Sequence, residues 1–376
     1  MKLRVTHRDI GEKTGFDKST VSLALRGSPR LPEETRRKIL EMAEKMGYRP
    51  DPAIAMLARH RWAHPKTDRG VTLVYLVHKK RPELVLQRRH FAGARQRAEE
   101  RGYHLEEFDL SAYPDGAAAS RVLFNRGIRG VILPTMPREV DPDLHDFEWE
   151  KFTVIGCSVG WLRTPFHIVT PDKFEGARLA WQQVVNRGYR RIGAALFRHE
   201  PVAVDDFARL GASFAEQMEL VRAADRIPFL LCPPTDRDSF LAWVKKHRPE
   251  AIISLISQKP YRWLVDAGYR VPEDIGLASL HAWPHETYSG VSLQTELVAR
   301  NAVDFLIAQM LDNNWGIPGA QQVLLLEPEW HEGTTLPAQT TARAKPNPRG
   351  ATHVTTPRVQ RAAAASTTQR SRAAGK

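Results

Sequence analysis

The sequence predicts a small all-α head followed by a larger α/β body of two doubly wound parallel sheets. Three observations carry that prediction. Residues 1–50 place apolar side chains at helical spacing between Gly and Pro breaks, residues 70–336 alternate short apolar runs with amphipathic stretches, and the positive charge sits at the two ends. The chain has 376 residues, 55 Lys+Arg against 43 Asp+Glu and a net charge of +12, long enough for two or three domains. Residues 1–69 hold +7 and residues 340–376 hold +8, which leaves −3 for the stretch between. The ends are therefore the candidates to meet a polyanion, and the body is not. A hydrophobic fraction of 42% excludes a disordered chain as a whole. No run of about 18 apolar residues occurs, which excludes a membrane-spanning helix. The start, Met1-Lys2-Leu3-Arg4, turns to charge at once, so a cytoplasmic protein is expected. Cys157 and Cys232 are too few for a disulfide framework or a cysteine zinc site.

In the head, Thr6 with Asp9 three residues on is an acidic capping box for a first helix carrying Ile10 and Thr14, which Gly15 ends. Asp17 can cap a second helix, Lys18 to Leu25, with Val21, Ala24 and Leu25 on one face. Pro32-Glu33-Glu34 opens a third, acidic at the positive end of its dipole, running to about Met46 with Ile39, Met42, Ala43 and Met46 inward. Two short helices joined by a Gly turn and braced by a third make the helix-turn-helix plan, whose second helix enters the major groove by its N-terminal end. Here that end carries Lys18, Ser19, Thr20 and Ser22. A solvated three-helix bundle is the competing reading of the same residues.

Several motifs resemble one known family. Val5-Thr6-His7-Arg8-Asp9-Ile10, Gly15-Phe16-Asp17-Lys18-Ser19-Thr20-Val21-Ser22, Leu25-Arg26-Gly27-Ser28-Pro29-Arg30, Glu34-Thr35-Arg36 and Gly47-Tyr48-Arg49-Pro50 look like the DNA-binding head of the LacI/GalR (lactose-repressor) regulators. The resemblance puts base-reading positions on Lys18, Ser19 and Leu23 and a phosphate contact on Thr20, with Thr6, Ser22 and Arg26 in the same DNA-facing set. Two departures stand out. Asp17 replaces the usual Ser cap, and Leu23 replaces the common Arg, removing a guanine-reading group.

Residues 51–69 read as a hinge helix and basic linker. Asp51 is a suitable N-cap, Pro52 suits the first helical position, and Ala53-Ile54-Ala55-Met56-Leu57-Ala58 favours helix. About two turns are too short to be stable alone. The resemblance implies that this segment folds on an operator and pushes Leu57 into the minor groove, the unstacking offset by the bend; a plain linker helix is the alternative. His60 and His64 have metal-compatible spacing but no third ligand nearby, which favours a solvated linker.

The body, residues 70–336, begins with the buried run Val71 to Val77, then a helix across Phe91 to Arg101, and strands at Gly130 to Pro134 and Thr153 to Gly156. The second half follows with helix Glu175 to Asn186, strand Ile192 to Phe197, helix Arg209 to Ala223 and strand Phe229 to Leu231. Helix Asp238 to His247, strand Ala251 to Leu255, helix Tyr261 to Ala267 and strand Ile275 to Leu280 complete the alternation. Ligands of such folds sit at the carboxyl ends of the strands. The resemblance extends to Arg187 to Gly193 and Gly268 to Gly276, and more loosely to Val291 to Gln294 and Glu332 to Thr335. It implies a periplasmic-binding-protein-like, dimeric core of two lobes that binds a small effector, with Asp172 matching a cleft aspartate.

Departures from the family lie where sugars are usually held. Ile256-Ser257-Gln258-Lys259 replaces an Asn-Asp, Ala278-Ser279-Leu280-His281 replaces Gly-Phe-Asp-Asp, and the arginine expected before Gly211 stands out of register at Arg209. These changes argue against a typical monosaccharide effector. The strand-end candidates are His78, Thr135, Ser158, Trp161, Asp172, His199, Asp205, Ser257, His281 and Trp283. Residues 337–376, poor in large apolar side chains, are expected to be a disordered basic tail.

No catalytic signature of the common hydrolase, phosphate-loop, zinc-protease or dinucleotide types appears, so no enzyme, cofactor or metal is expected. The expectation is a dimeric transcription regulator, a repressor, bound to a pseudo-palindromic double-stranded operator and modulated by an effector, without a membrane partner. A DNA-binding architectural protein with a ligand-free core is the alternative, and a sugar-binding transport protein a more distant one.

Overall fold

A computed structural model describes residues 5–25, 31–48, 71–79, 85–135, 144–158, 164–196, 204–283 and 287–339. Arg26, Leu57, Trp161 and His199, the hinge and linker at 51–69, and residues 340–376 lie outside the described residues.

The head forms as its local signals require. Thr6 accepts from the Asp9 N–H while the Asp9 carboxylate accepts from the Thr6 N–H at 2.6 Å, closing a capping box on helix α1 (His7–Thr14). Gly15 ends the helix at φ 77°, a left-handed conformation that suits glycine. Helix α2 (Lys18–Leu25) and helix α3 (Glu33–Lys45) follow. Ile10, Val21, Ala24, Ile39 and Ala43 are buried together, so one side chain or pair from each helix makes a single small core. A core this small leaves the head with little stability to spare.

The body consists of two sheets, each with helices on both faces. The first contains β1 (Thr72–Val77), β2 (His104–Asp109), β3 (Gly130–Pro134), β4 (Thr153–Cys157), β5 (His167–Pro171) and β10 (Val323–Leu326), in the order β10-β5-β4-β3-β1-β2, all parallel. The second contains β6 (Ile192–Ala195), β7 (Ala251–Ser254), β8 (Gly276–Ser279), β9 (Ser289–Ser292) and β11 (Glu329–His331), in the order β11-β9-β8-β7-β6. Strands β3 to β8 are buried along their whole length, as parallel strands covered on both faces must be.

Helices α4 (Val85–Glu100), α5 (Gly116–Asn125) and α10 (Thr295–Leu311) flank the first sheet, and α6 (Lys173–Asn186), α7 (Val204–Leu220), α8 (Arg237–His247) and α9 (Gln258–Asp266) flank the second. On α10, Val298, Ala299, Ala302, Val303 and Leu306 recur at helical spacing and are wholly buried. Across the α4–α10 seam, Arg97 and Arg101 both grip Asp304, and Arg300 grips Glu100.

The chain passes between the sheets three times, after β5, after β9 and between β10 and β11. These passages are tied to one another. The Asp172 N–H donates to the Leu326 carbonyl at 2.9 Å, and Gln294 Nε2 donates to the Glu327 carbonyl at 2.7 Å.

Two expectations are corrected. The second sheet is not wholly parallel, because β11 pairs antiparallel with β9 at its edge. Among the described residues Phe229 to Leu231 makes a single bridge, Leu230 to Ala195, and Pro228 and the Pro233-Pro234 pair beside it have no N–H to donate to a longer ladder.

Candidate functional site

Two places concentrate polar chemistry. The first is the outward face of α2. Val21 and Ala24 turn inward, which leaves Lys18, Ser19 and Leu23 exposed, Leu23 at 36%. Asp17 organises the start of the helix. Its Oδ1 accepts from the Ser19 N–H at 2.6 Å and the Thr20 N–H at 3.1 Å, and its Oδ2 accepts from the Thr20 hydroxyl at 2.9 Å. The Ser19 hydroxyl also donates to Oδ1. The Ser19 side chain first, then Thr20 and the backbone donors, pull the Asp17 carboxyl down from 3.8 to about 2. Ser19 and Thr20, expected to touch base and phosphate, thus have their hydroxyl protons engaged by Asp17. Thr6 serves the α1 capping box.

The second place lies where the lobes meet. Lys173, the first residue of α6, donates to Asp205 Oδ2 at 2.7 Å, and the Arg209 guanidinium stands 3.6 Å from Asp205 and 3.7 Å from Asp206. These four side chains are 8–15% exposed, so the pairs are shielded from solvent. Burial lowers the Lys173 and Arg209 pKa values, and Asp205 opposes the shift in both. His90, on α4 of the first lobe, is lowered to about 3 by burial and then by Lys173. His281, beyond β8 of the second lobe, is lowered to about 3 by burial first, then by Lys173, Arg209, His90 and Arg89. Both rings are neutral near pH 7. His90 Nδ1 and His281 Nε2 are shut from solvent without a hydrogen-bond partner among the described residues.

An aromatic clasp adjoins this cluster. The His281 and Trp283 rings lie 4.3 Å apart, and the Arg89 guanidinium sits 4.6 Å over the Trp283 ring while pairing with Glu296 at 3.0 Å. Arg89 belongs to the first lobe and Trp283 to the second, so the contact joins the two. A cavity of about 350 Å³ lies beside it, with Trp283, Gln294, Glu296 and Arg300 on its wall.

Of the strand-end residues expected from sequence, Asp205, His281 and Trp283 come together in this cluster. Asp172 precedes Lys173, but its Oδ1 accepts the Glu175 N–H at 2.9 Å and so caps α6. The Thr135 carbonyl, after β3, accepts from Gln87 Nε2 at 2.9 Å. Gln87 lies one turn from His90 on the buried face of α4. Ser158 follows β4 at φ 72°, and the hydroxyls of Ser254, the last residue of β7, and Ser257 beyond it are buried 3.2 Å apart. His78 follows β1, half-buried. Burial pushes the Cys157 thiol up, so it stays protonated in the neutral range.

Lys173, Arg209, His90 and Arg89 were not expected as site residues. Arg209 stands out of register against Gly211 in the sequence, yet its side chain is in the cluster. Asp205, Asp206 and Arg209 bring two carboxylates and a guanidinium into the cluster from α7. One local signal existed for Lys173: a cation in the first turn opposes the helix dipole. For His90 it was the row Gln87, His90, Ala94, polar on a face that helical spacing turns inward.

A head of three helices precedes a core of two interconnected, flanked sheets, the architecture of a periplasmic-binding-protein-like core. The chain has the fold of the LacI-family transcription regulators, and residues 181–336 match the model of the periplasmic binding protein-like domain. It is 45% identical over 47 residues to the "Probable HTH-type transcriptional repressor ExuR" of Bacillus subtilis (strain 168). That match spans 12% of this chain and 14% of the length of the repressor.

Among solved structures, the cellobiose complex of the transcriptional regulator CelR aligns with 88% of this chain and all of its own, at 19% identity and a TM-score of 0.52. The lac repressor dimer bound to operator and the anti-inducer ONPF aligns with 89% of this chain and all of its own, at 16% identity and a TM-score of 0.53. A LacI-family regulatory protein from Chloroflexus aggregans aligns with 70% of this chain and 98% of its own, at 18% identity and a TM-score of 0.56. At these identities the likeness is one of fold. No helix among the described residues is long and apolar enough to cross a membrane.

Proposed function

We propose that the chain is a sequence-specific DNA-binding transcription regulator, a dimeric repressor whose operator affinity is set by a small effector held between the lobes. The observation that carries this reading is the exposed row Lys18, Ser19 and Leu23 on the second helix of a three-helix head. In the major groove, Lys18 can donate to guanine and Leu23 can pack on a thymine methyl. A symmetric dimer would present two such helices to two half-sites, which makes the operator pseudo-palindromic.

The core reading rests on the cluster between the lobes. Lys173, Arg209, Asp205 and Asp206 offer charged hydrogen-bonding groups, His90 and His281 each hold a ring nitrogen without a partner among the described residues, and Trp283 offers a flat apolar face. Thr135, Ser158, Ser257 and His78 stand at neighbouring strand ends. That set suits a small polar molecule, in keeping with the cellobiose in the CelR structure. An effector that binds closed and open lobes unequally would shift operator affinity by that difference in binding free energy.

The mutual pairing of Lys173, Asp205 and Arg209 favours a second reading, an architectural DNA-binding protein whose core holds no effector. A thermal-shift screen of the full chain against sugars, uronates and nucleosides separates the two. A compound that raises the melting temperature and changes operator affinity supports the effector; stability unmoved by every compound supports the second reading.

A further inference from the structure

The first turn of α2 has an unusual hydrogen-bond economy. Two backbone N–H groups and two hydroxyl protons all converge on the Asp17 carboxylate. A hydroxyl has one proton and two lone pairs. With both protons directed at Asp17, Ser19 and Thr20 offer outward only oxygen lone pairs. Exposed Ser19 therefore seeks a donor. In the major groove the base donors are the adenine N6 and cytosine N4 amino groups, whereas guanine N7 and O6, thymine O4 and every phosphate oxygen are acceptors. Helix N-termini commonly hold phosphate through free first-turn N–H groups. Here those of Ser19 and Thr20 are occupied, and a negative charge stands at the same place.

We propose that Asp17 is a specificity-determining residue: by taking the hydroxyl protons of Ser19 and Thr20 it fixes both as acceptors, so that α2 selects an adenine or cytosine at the base Ser19 faces. The assignment rests on the DNA-binding reading above. Asp17 acts through Ser19, and its low pKa keeps the carboxylate ionised, hence able to hold the two hydroxyls, throughout the neutral range.

The test is selection from a randomised double-stranded DNA library by the full-length chain, its Asp17→Ser variant and its Ser19→Ala variant. Serine retains an N-cap oxygen, so α2 keeps its cap while the carboxylate is removed; circular dichroism checks that the head remains helical. The wild type is expected to enrich adenine or cytosine at one position of each half-site. Asp17→Ser should raise the share of guanine and thymine there about two- to tenfold, the range of one hydrogen bond, with the other positions unchanged. Ser19→Ala should flatten the preference at the same position. Two results overturn the assignment alone: a preference in Asp17→Ser identical to wild type, or a shift at a position that Ser19→Ala leaves untouched. A wild-type chain that enriches no sequence overturns the DNA-binding reading and the Asp17 assignment with it.

Discussion

Replacing Asp205 by Asn keeps the shape of the side chain and removes the charge shared by Lys173 and Arg209. At 2.7 and 3.6 Å and an effective dielectric of about 20, the two attractions are each of order 5 kcal/mol before desolvation is subtracted. Breaking a buried pair on one side costs about 3–5 kcal/mol, because an uncompensated charge remains. Arg209 retains Asp206 at 3.7 Å, so Lys173 carries most of the loss.

A second limit applies to Lys173, whose pKa burial already lowers from the ordinary 10.5. An unpaired buried lysine sheds its proton once that is cheaper than staying charged. Taking a proton from an ordinary lysine at pH 7.5 costs about 4 kcal/mol, which caps this part of the penalty, and the cap falls by about 1.4 kcal/mol for each unit of pH rise. Asp205→Asn should therefore lose about 3–4 kcal/mol at pH 7.5 and about 2 kcal/mol at pH 9. Denaturant unfolding of wild type, Asp205→Asn, Lys173→Met and the double variant measures this, and the double variant should be less unstable than the sum of the singles. A loss under about 1 kcal/mol, or strict additivity, would refute the claim that the pair is a coupled, buried unit.

Three further outcomes follow from other parts of the molecule. Gly93→Ala should destabilise the first lobe by about 1–3 kcal/mol in the same unfolding assay, because the new Cβ would meet the Glu296 carbonyl oxygen at 2.5 Å and backbone cannot step aside as a side chain can. His90 and His281, held near 3 when folded and near 6.5 when unfolded, bind protons first in the unfolded chain. Stability should therefore fall as pH drops from about 6.5 towards 3, by about 1.4 kcal/mol per histidine per pH unit, and His90→Gln should flatten that slope. Lys18→Ala should cost about 1–3 kcal/mol of binding at one base of each half-site if Lys18 reads a base, measured by fluorescence anisotropy on single-base operator variants. Uniform weakening across sequences would assign it to phosphate instead.

The head was readable because its signals are local. Thr6 with Asp9, Gly15, and the spacing of Val21 and Ala24 each act within a turn or two, and each reappears as a cap, a left-handed stop and a buried pair. Strands β1, β3, β4, β6, β7 and β8 were readable from their apolar runs, whereas β5, which opens on His167 and closes on Pro171, was not. The crossing strands were not, because Val323 to Leu326 and Glu329 to His331 are placed by pairing with strands more than 35 residues away in sequence. Phe229 to Leu231 has strand composition and the wrong neighbours.

The lobe cluster was legible only in part. Asp205, His281 and Trp283 stood out as polar or aromatic residues near strand ends. Arg209 and His90 lie within helices, where their inward direction depends on how α7 packs on α6 and α4 on α10. Position relative to Gly211 could not supply that information, because Gly211 lies on the exposed side of α7.

On the proposed reading, the head directs this chain to a particular DNA sequence. Footprinting on the sequence enriched from a random library, with the full-length chain and with residues 1–60 deleted, tests it most directly. The full chain should protect an inverted repeat, as a symmetric dimer reading two half-sites would, and the deletion should abolish that protection. Protection that survives deletion, or a full chain that binds all DNA alike and responds only to salt, would contradict it.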